Sequence, residues 1–415
     1  TVNLLTQNKG MSVANSIHYS NKIYNYFRSL KLGLFLSDVY LNHLMVIILS
    51  VFLQGYRRKT VDFALTSNSH RTTIAHFLNN GKWQDDQLQS ALEASAIEII
   101  YSEARKSGQP VLCIVDDTIA SHTKPSSRAL HPIEAAYYHQ SHLKGHQDYG
   151  HQILAVMLAC NGMIFNYVMI LYDKSKSKIQ LVRDIADELP NAPTLSYFLC
   201  DSWYTSVDVI ESFIKKGFYT IGALRTNRIL YPKRIRSKAR EIAQTLKPSD
   251  TSLVTVGGLE FYIWRYEGKL NGITNAVVLL SYPKNAFGQK QALRMFISTN
   301  VDLSTQDILD IYVSRWPIEV FFRSSKSKLG LDTYQIRSQK GIERYWLIMS
   351  LTHYLCCICK GGYCSFEEGY QYLPQLLAAE HLEQLYKLSK SCCSFEAFSQ
   401  ATSGCFVHFS KIAHL

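Results

Sequence analysis

The chain lacks any long apolar run. In 415 residues the most apolar stretch is Leu44 to Leu53, about half of what a helix needs to cross a bilayer, and Asn42 and His43 precede it. No transmembrane segment is expected, and no membrane partner. No secretory signal opens the chain, and its ten cysteines follow no disulfide spacing, so the thiols are read as reduced and the compartment as the cytosol. Internal repeats and low-complexity tracts are absent, which excludes a solenoid or a biased linker. There is no P-loop, dinucleotide fingerprint or serine-nucleophile elbow. Acidic residues are in deficit, 33 against 44 Lys and Arg, for a formal charge of +11. That balance favours polyanionic partners, nucleic acid first.

What is present changes character along the chain. Up to about residue 108 the apolar residues recur at helical spacing: Ile23, Tyr26, Phe27, Leu30 and Leu34, then Leu44, Ile47, Ile48, Val51 and Phe52. Basic residues lie among and after them: Lys22, Arg28, Lys31, Arg57, Arg58 and Lys59. A further helix is expected from Asp85 to Lys106, closed by Gly108 and Pro110. From Pro110 the pattern turns to β. Val111 to Val115 is a short apolar strand that leads into Asp116-Asp117-Thr118. Gln152 to Tyr172 reads as a hairpin about Asn161-Gly162. Leu195 to Cys200 is a third strand, and it stops at Asp201. Two strands would thus each end in an aspartate at a loop boundary, where α/β sheets build their sites.

Residues 218–300 read as mostly β, with a basic run of Arg225, Arg228, Lys233, Arg234, Arg236, Lys238 and Arg240. That run is either a solvated loop or a contact for DNA backbone. Ser304 and Asp307 resemble a capping box. Pro317 is expected to kink the helix that follows or restart it, with Pro317 in the first turn of the helix that bears Glu319, and Gly330 to end it. The last 85 or so residues look helical again.

The segment from Tyr312 to Lys326 concentrates the chemistry. Tyr312, Arg315, Glu319, Arg323 and Lys326 are spaced 3, 4, 4 and 3, which on one helix stacks them on one face. A salt-bridged surface helix would look the same, but Trp316, Phe321 and Phe322 argue for burial on the other side. A carboxylate among cations suits a divalent metal and DNA phosphates. Zinc is discounted for Cys356-x-x-Cys359, which lies in an apolar helical stretch where cysteine acts as a small core residue. His139, His142, His146 and His151 are read as a loop between the first two strands.

The pattern Y-x-x-R-x-x-x-E-x6-K, formed by Tyr312, Arg315, Glu319 and Lys326, resembles the signature of cut-and-paste insertion-sequence transposases of the DDE superfamily. Asp117, directly before Thr118, and Asp201, after Leu199-Cys200, resemble that family's other two acids; Asp116 is the alternative at the first position. Gly330 to Arg337 is similar as well. The resemblance implies an RNase H-like α/β core with a β-rich insertion, flanked by helical regions. It divides the chain into a helical DNA-binding domain (1–108), the first part of the core (109–217), the insertion (218–300), the second part of the core with the Glu helix (301–350) and a C-terminal helical region (351–415).

It further implies that Asp117, Asp201 and Glu319 are catalytic and bind Mg²⁺, with Mn²⁺ as the alternative ion. Tyr312, Arg315, Lys326 and Arg323 would contact DNA, as would Arg225, Arg228, Lys233, Arg234 and Arg236. The partners would be double-stranded DNA, as terminal inverted repeats and target, and a second copy of the chain. Other readings of the same residues are an RNase H-like nuclease without strand transfer and a non-catalytic DNA-binding protein derived from a transposase.

Overall fold

A computed structural model describes residues 20–52, 59, 60, 63, 70–140, 145–270 and 272–402. Arg57, Arg58, Leu53, His142, Cys405 and His408 lie outside the described residues. The chain forms two compact units. One holds the described residues up to Ser95, Ile119–His151 and the described residues from Ser324 onward; the other holds Ala96–Thr118 and the described part of Gln152–Arg323.

The elements run in chain order α1 (Asn21–Ser29), α2 (Asp38–Val51), α3 (Arg71–Asn79), α4 (Asp85–Ser107), β1 (Leu112–Ser121), β2 (Tyr137–Gln140), β3 (Gln147–Cys160), β4 (Met163–Tyr172), α5 (Lys178–Glu188), β5 (Ser196–Cys200), α6 (Val207–Lys215), β6 (Phe218–Ala223), β7 (Ile229–Leu230), β8 (Ser237–Lys238), α7 (Ala239–Thr245), β9 (Ser252–Val256), β10 (Leu259–Leu270), β11 (Ile273–Pro283), β12 (Arg294–Ser298), α8 (Thr305–Val313), α9 (Pro317–Ser324), α10 (Gln339–Ile358), α11 (Phe366–Ser391) and α12 (Phe395–Thr402). This mixed α/β fold, a large sheet with flanking helices, is consistent with the expected RNase H-like core. Among the described residues no helix is long and apolar enough to cross a membrane.

In the first unit α10 is buried almost throughout and packs against α2, α3 and α11. A helix that is apolar on every side has to be surrounded. Its one buried charge, Arg344, is 5% exposed. Arg344 donates to the carbonyls of Phe77, Leu78 and Trp83 and to Asp85 at 3.1 Å. Such a guanidinium, satisfied on several sides, ties the N-terminal helices to α10.

The histidines expected in a loop lie partly on strands. His139 and His151 belong to the β2–β3 pair and both are buried. His151 is kept there by the Glu134 carbonyl at 2.8 Å and the Tyr334 hydroxyl at 2.7 Å, which sequence spacing does not reveal.

In the second unit the strand order is β3-β1-β5-β6-β12-β11-β10-β7-β8, with β4 on β3 and β9 on β10. β1, β5 and β6 are parallel, and α5 and α6 pack together, α6 also on β6. The β3–β4 hairpin closes through Asn161 and Gly162 at φ of 48° and 79°. Two left-handed residues are what a tight two-residue loop requires. β12 pairs with β6, and the strands between them in the chain, β7 to β11, extend the same sheet beyond β12.

One strand differs from expectation. β1 continues to Ser121, so Asp116 and Asp117 lie within it rather than at its end. Its long neighbour β3 still bonds to the chain just past β1, where the His122 N–H meets the Tyr149 carbonyl at 2.8 Å, and Gly150 leaves no room for a Cβ against the Ala120 carbonyl. Asp201 does follow the last residue of β5.

Burial predicts a pH response. Desolvation pushes the imidazole of His353 down to about 3 and that of His151 down to about 4. Above about pH 6.5 both are neutral folded or unfolded. Below it only the unfolded chain takes up the protons, so stability falls as pH drops from about 6.5 toward 4. His353→Leu should flatten that decline by roughly 1–2 kcal/mol at pH 5, measured by urea unfolding at pH 7.5 and pH 5. An unchanged decline would show that His353 is not held neutral.

Candidate active site

Parallel pairing sets Val115 level with Cys200, so the acids after them, Asp116, Asp117 and Asp201, emerge together at one place on the sheet. Asp201 accepts the Trp203 N–H at 2.8 Å, which turns the chain immediately after β5. Alternation along β1 then sends its two aspartates to different partners. Asp116 meets Arg315. Asp117 accepts from Gln152 Nε2 at 2.5 Å, Lys178 Nζ at 2.9 Å and the Tyr204 hydroxyl at 2.5 Å.

Glu319 arrives by a different local mechanism. The Ser304–Asp307 capping box opens α8. The helix stops at Val313, and successive turns place Arg315 and Trp316 before Pro317 starts α9. The expected single face is therefore broken. Tyr312 lies on α8, Arg315 in the turn, Glu319 and Arg323 on α9, and Lys326 on a π turn over Ser325–Leu329 closed by left-handed Gly330. The i to i+4 relation survives across the break: Arg315 reaches Glu319 Oε1 at 3.2 Å. One guanidinium thus joins Asp116 on β1 to Glu319 on α9. The Tyr312 ring packs on Phe296 at 4.7 Å, with the Arg315 guanidinium 6.0 Å from its centroid.

The site is crowded with negative charge. Burial raises the Asp116 carboxyl to about 7 even though Arg315 opposes it, and Asp201 and Asp117 add to the rise. Burial also raises Asp201, with Asp117 contributing. Asp116 and Arg315 are only 15% and 17% exposed, whereas Glu319 is 40% exposed. Burial and Asp117 push the Tyr204 phenol up, so it stays protonated and donates. These are all hard oxygen donors, the type that divalent Mg²⁺ or Mn²⁺ takes, and their mutual repulsion is what such a cation would relieve. As they stand, the acids face protein cations instead, and among the described residues no three His, Cys, Asp or Glu are gathered to hold a metal.

The remaining predicted residues are dispersed. Arg323 is exposed at the end of α9. Lys326 donates to the Ile119 carbonyl at 2.9 Å. Arg225 lies 5.1 Å from the Trp203 ring. Arg228 is half-buried and donates to the Thr205 carbonyl at 2.7 Å, which fixes the loop after Asp201. Arg236 is exposed. Lys233 and Arg234 line a cleft of about 660 Å³ with Arg265, Glu267 and Lys269. Both hold a left-handed backbone, at φ of 51° and 67°, which is costly for residues other than glycine.

Sequence reasoning missed Gln152, Lys178 and Tyr204. They lie 35, 61 and 87 residues from Asp117, and no local pattern announces them.

The model of the transposase DDE domain matches residues 107–355, more than half of the chain. The chain belongs to this family. It is a DDE transposase, and the family implies DNA as its partner and the general use of a divalent metal. No curated protein matches the chain.

The cluster makes a prediction about this transposase. Arg315→Met leaves Asp116 buried without its cation, a loss of about 3–5 kcal/mol when the acid is charged. Protonation of Asp116 relieves that loss, so the variant should be destabilised more at pH 8.5 than at pH 6. Urea unfolding at the two pH values measures this; equal losses would contradict the pairing.

Proposed function

We propose that this transposase cleaves DNA at the ends of a mobile element and joins the ends to a target, with Asp117, Asp201 and Glu319 as its catalytic acids. One observation carries the reading: acids from β1, the end of β5 and α9 share two cations, since Arg315 pairs with Asp116 and Glu319, Lys178 pairs with Asp117, and the charges of both cations bear on Asp201. Asp117, Asp201 and Glu319 would hold the divalent ions. When bound, such ions activate the attacking oxygen and stabilise the leaving one in an in-line phosphoryl transfer, and Mg²⁺ is the ion we propose, with Mn²⁺ able to replace it.

The chain's own groups do the rest. Tyr204 and Gln152 fix the Asp117 carboxylate from two sides. Arg315 keeps Asp116 and Glu319 in place and would contact DNA phosphate. Tyr312, Arg323 and Lys326 would contact DNA on either side of Glu319. Arg225, Lys233, Arg234 and Arg236 would track the backbone, while Arg228 braces the loop after Asp201. We assign DNA recognition to the helices before residue 108 and read residues 218–300 as an insertion in an RNase H-like core, resumed over 301–350. Two copies would synapse the element ends, joined through the helices from residue 351 onward. The cytoplasm, on the nucleoid, is the proposed place of action.

The test uses labelled duplexes that carry the inverted repeats flanking the gene. Wild type should nick and join them only with Mg²⁺ or Mn²⁺. Asp201→Asn and Glu319→Gln should lose about 10³-fold or more in cleavage rate, the scale of losing a group that acts in the transition state, while they bind the duplex as wild type does. Cleavage that survives in both variants, or that needs no divalent ion, would refute the assignment.

A further inference from the structure

We propose that Lys178 is the resident counter-ion of Asp117, a protein cation that occupies this carboxylate when no divalent ion is bound and leaves it when one binds. The inference rests on the metal reading given above. Its first ground is the geometry at Asp117. A carboxylate offers about four lone-pair positions. Here Oδ2 takes both the Tyr204 hydroxyl and the Lys178 ammonium, and Oδ1 takes Gln152. Tyr204 and Gln152 are neutral donors and can stay while a cation binds. Lys178 cannot, since two cations would compete for one oxygen.

The second ground is the place of Lys178 in its helix. It is the first residue of α5, whose first turn contains no acid. A cation at a helix N-terminus faces the positive end of the helix dipole and is disfavoured there. Ser177 caps the helix through Gln180 N, so Lys178 adds nothing to the cap. A local rule is broken at a residue that forms an ion pair with a candidate catalytic acid, the place where such violations are expected to have a use.

The third ground is the contrast with Arg315. Arg315 spans two carboxylates with a planar fork, a geometry that keeps its position. Lysine is a point charge on a flexible stem. It also has somewhere to go. The Lys178 ammonium lies 4.7 Å from the Trp203 ring and 5.8 Å from the Tyr172 ring, and Trp203 is 46% exposed. A short swing would carry the ammonium off Asp117 and leave it over an aromatic face.

Mn²⁺ binding to the DNA-free full-length chain, measured by calorimetry and by the electron-spin signal of free Mn²⁺, tests this without relying on turnover. Lys178→Met should bind Mn²⁺ about tenfold tighter than wild type, the usual scale of coupling between two competing ligands. Lys174→Met, which removes the same charge from the exposed loop before α5, should change the affinity much less. Lys178→Arg should bind Mn²⁺ more weakly than wild type, which keeps the test open if the Met variant does not fold. Tightening no greater in Lys178→Met than in Lys174→Met, or an arginine variant that binds as tightly as wild type, would overturn the proposal while the metal reading stands. Mn²⁺ binding that is absent from wild type and from Lys178→Met alike would overturn the metal reading and the proposal together.

Discussion

Arg315 sits between Asp116 and Glu319, and much of the second unit's design follows from what that guanidinium has to do. Three aspartates emerge at one place on the sheet, where burial and mutual repulsion raise Asp116 and Asp201 above the ordinary carboxylate range. Left alone, such a cluster would take up protons or push apart. The break between α8 and α9 is what brings a cation in. The chain leaves helix at Val313, sets Arg315 in a turn, and re-enters helix at Pro317 with Glu319 one turn on. A continuous helix would keep the i to i+4 pair, but its phase would not be free to adjust the guanidinium to β1. A proline in the first turn makes the interruption inexpensive, because its missing N–H has no helical partner there.

The two cations divide the acids between them. Arg315 is a fixed brace, and Lys178 is a point charge at the start of a helix that gains nothing from it. That division separates the adjacent aspartates of β1 by role: Asp116 belongs to the brace, and Asp117 to the side where a neutral tyrosine and glutamine orient a carboxylate whose cation can exchange. The first unit shows the same physics used for stability alone. Arg344 is held by three carbonyls and Asp85 and is only 5% exposed.

Much of this was legible in the sequence because it is local. The Asn161-Gly162 hairpin, the stop at Asp201, the Ser304 cap, the Pro317 restart and the left-handed Gly330 each depend on a few adjacent residues. What could not be read depends on distant partners. β1 runs past its acids because β3 pairs with it. His151 is buried because Tyr334 and the Glu134 carbonyl satisfy its ring. Arg228 looks like any other member of a basic run until the Thr205 carbonyl claims it. Gln152, Lys178 and Tyr204 reach Asp117 from a strand, a helix start and a loop, and no window of sequence contains them together. The spacing of the five residues from Tyr312 to Lys326 pointed to the right segment, but the single face it suggested is divided by the break between Val313 and Pro317.

The most direct test compares the two adjacent aspartates in single-turnover cleavage of the pre-bound element end. Asp117→Asn should fall to the uncatalysed background. Asp116→Asn should keep measurable, metal-dependent cleavage, since it loosens the Arg315 brace and leaves the acid on the exchangeable side intact. The reverse pattern, an inactive Asp116→Asn beside an active Asp117→Asn, would mean that the catalytic carboxylate of β1 is the one paired with Arg315, and the division of roles set out above would be wrong.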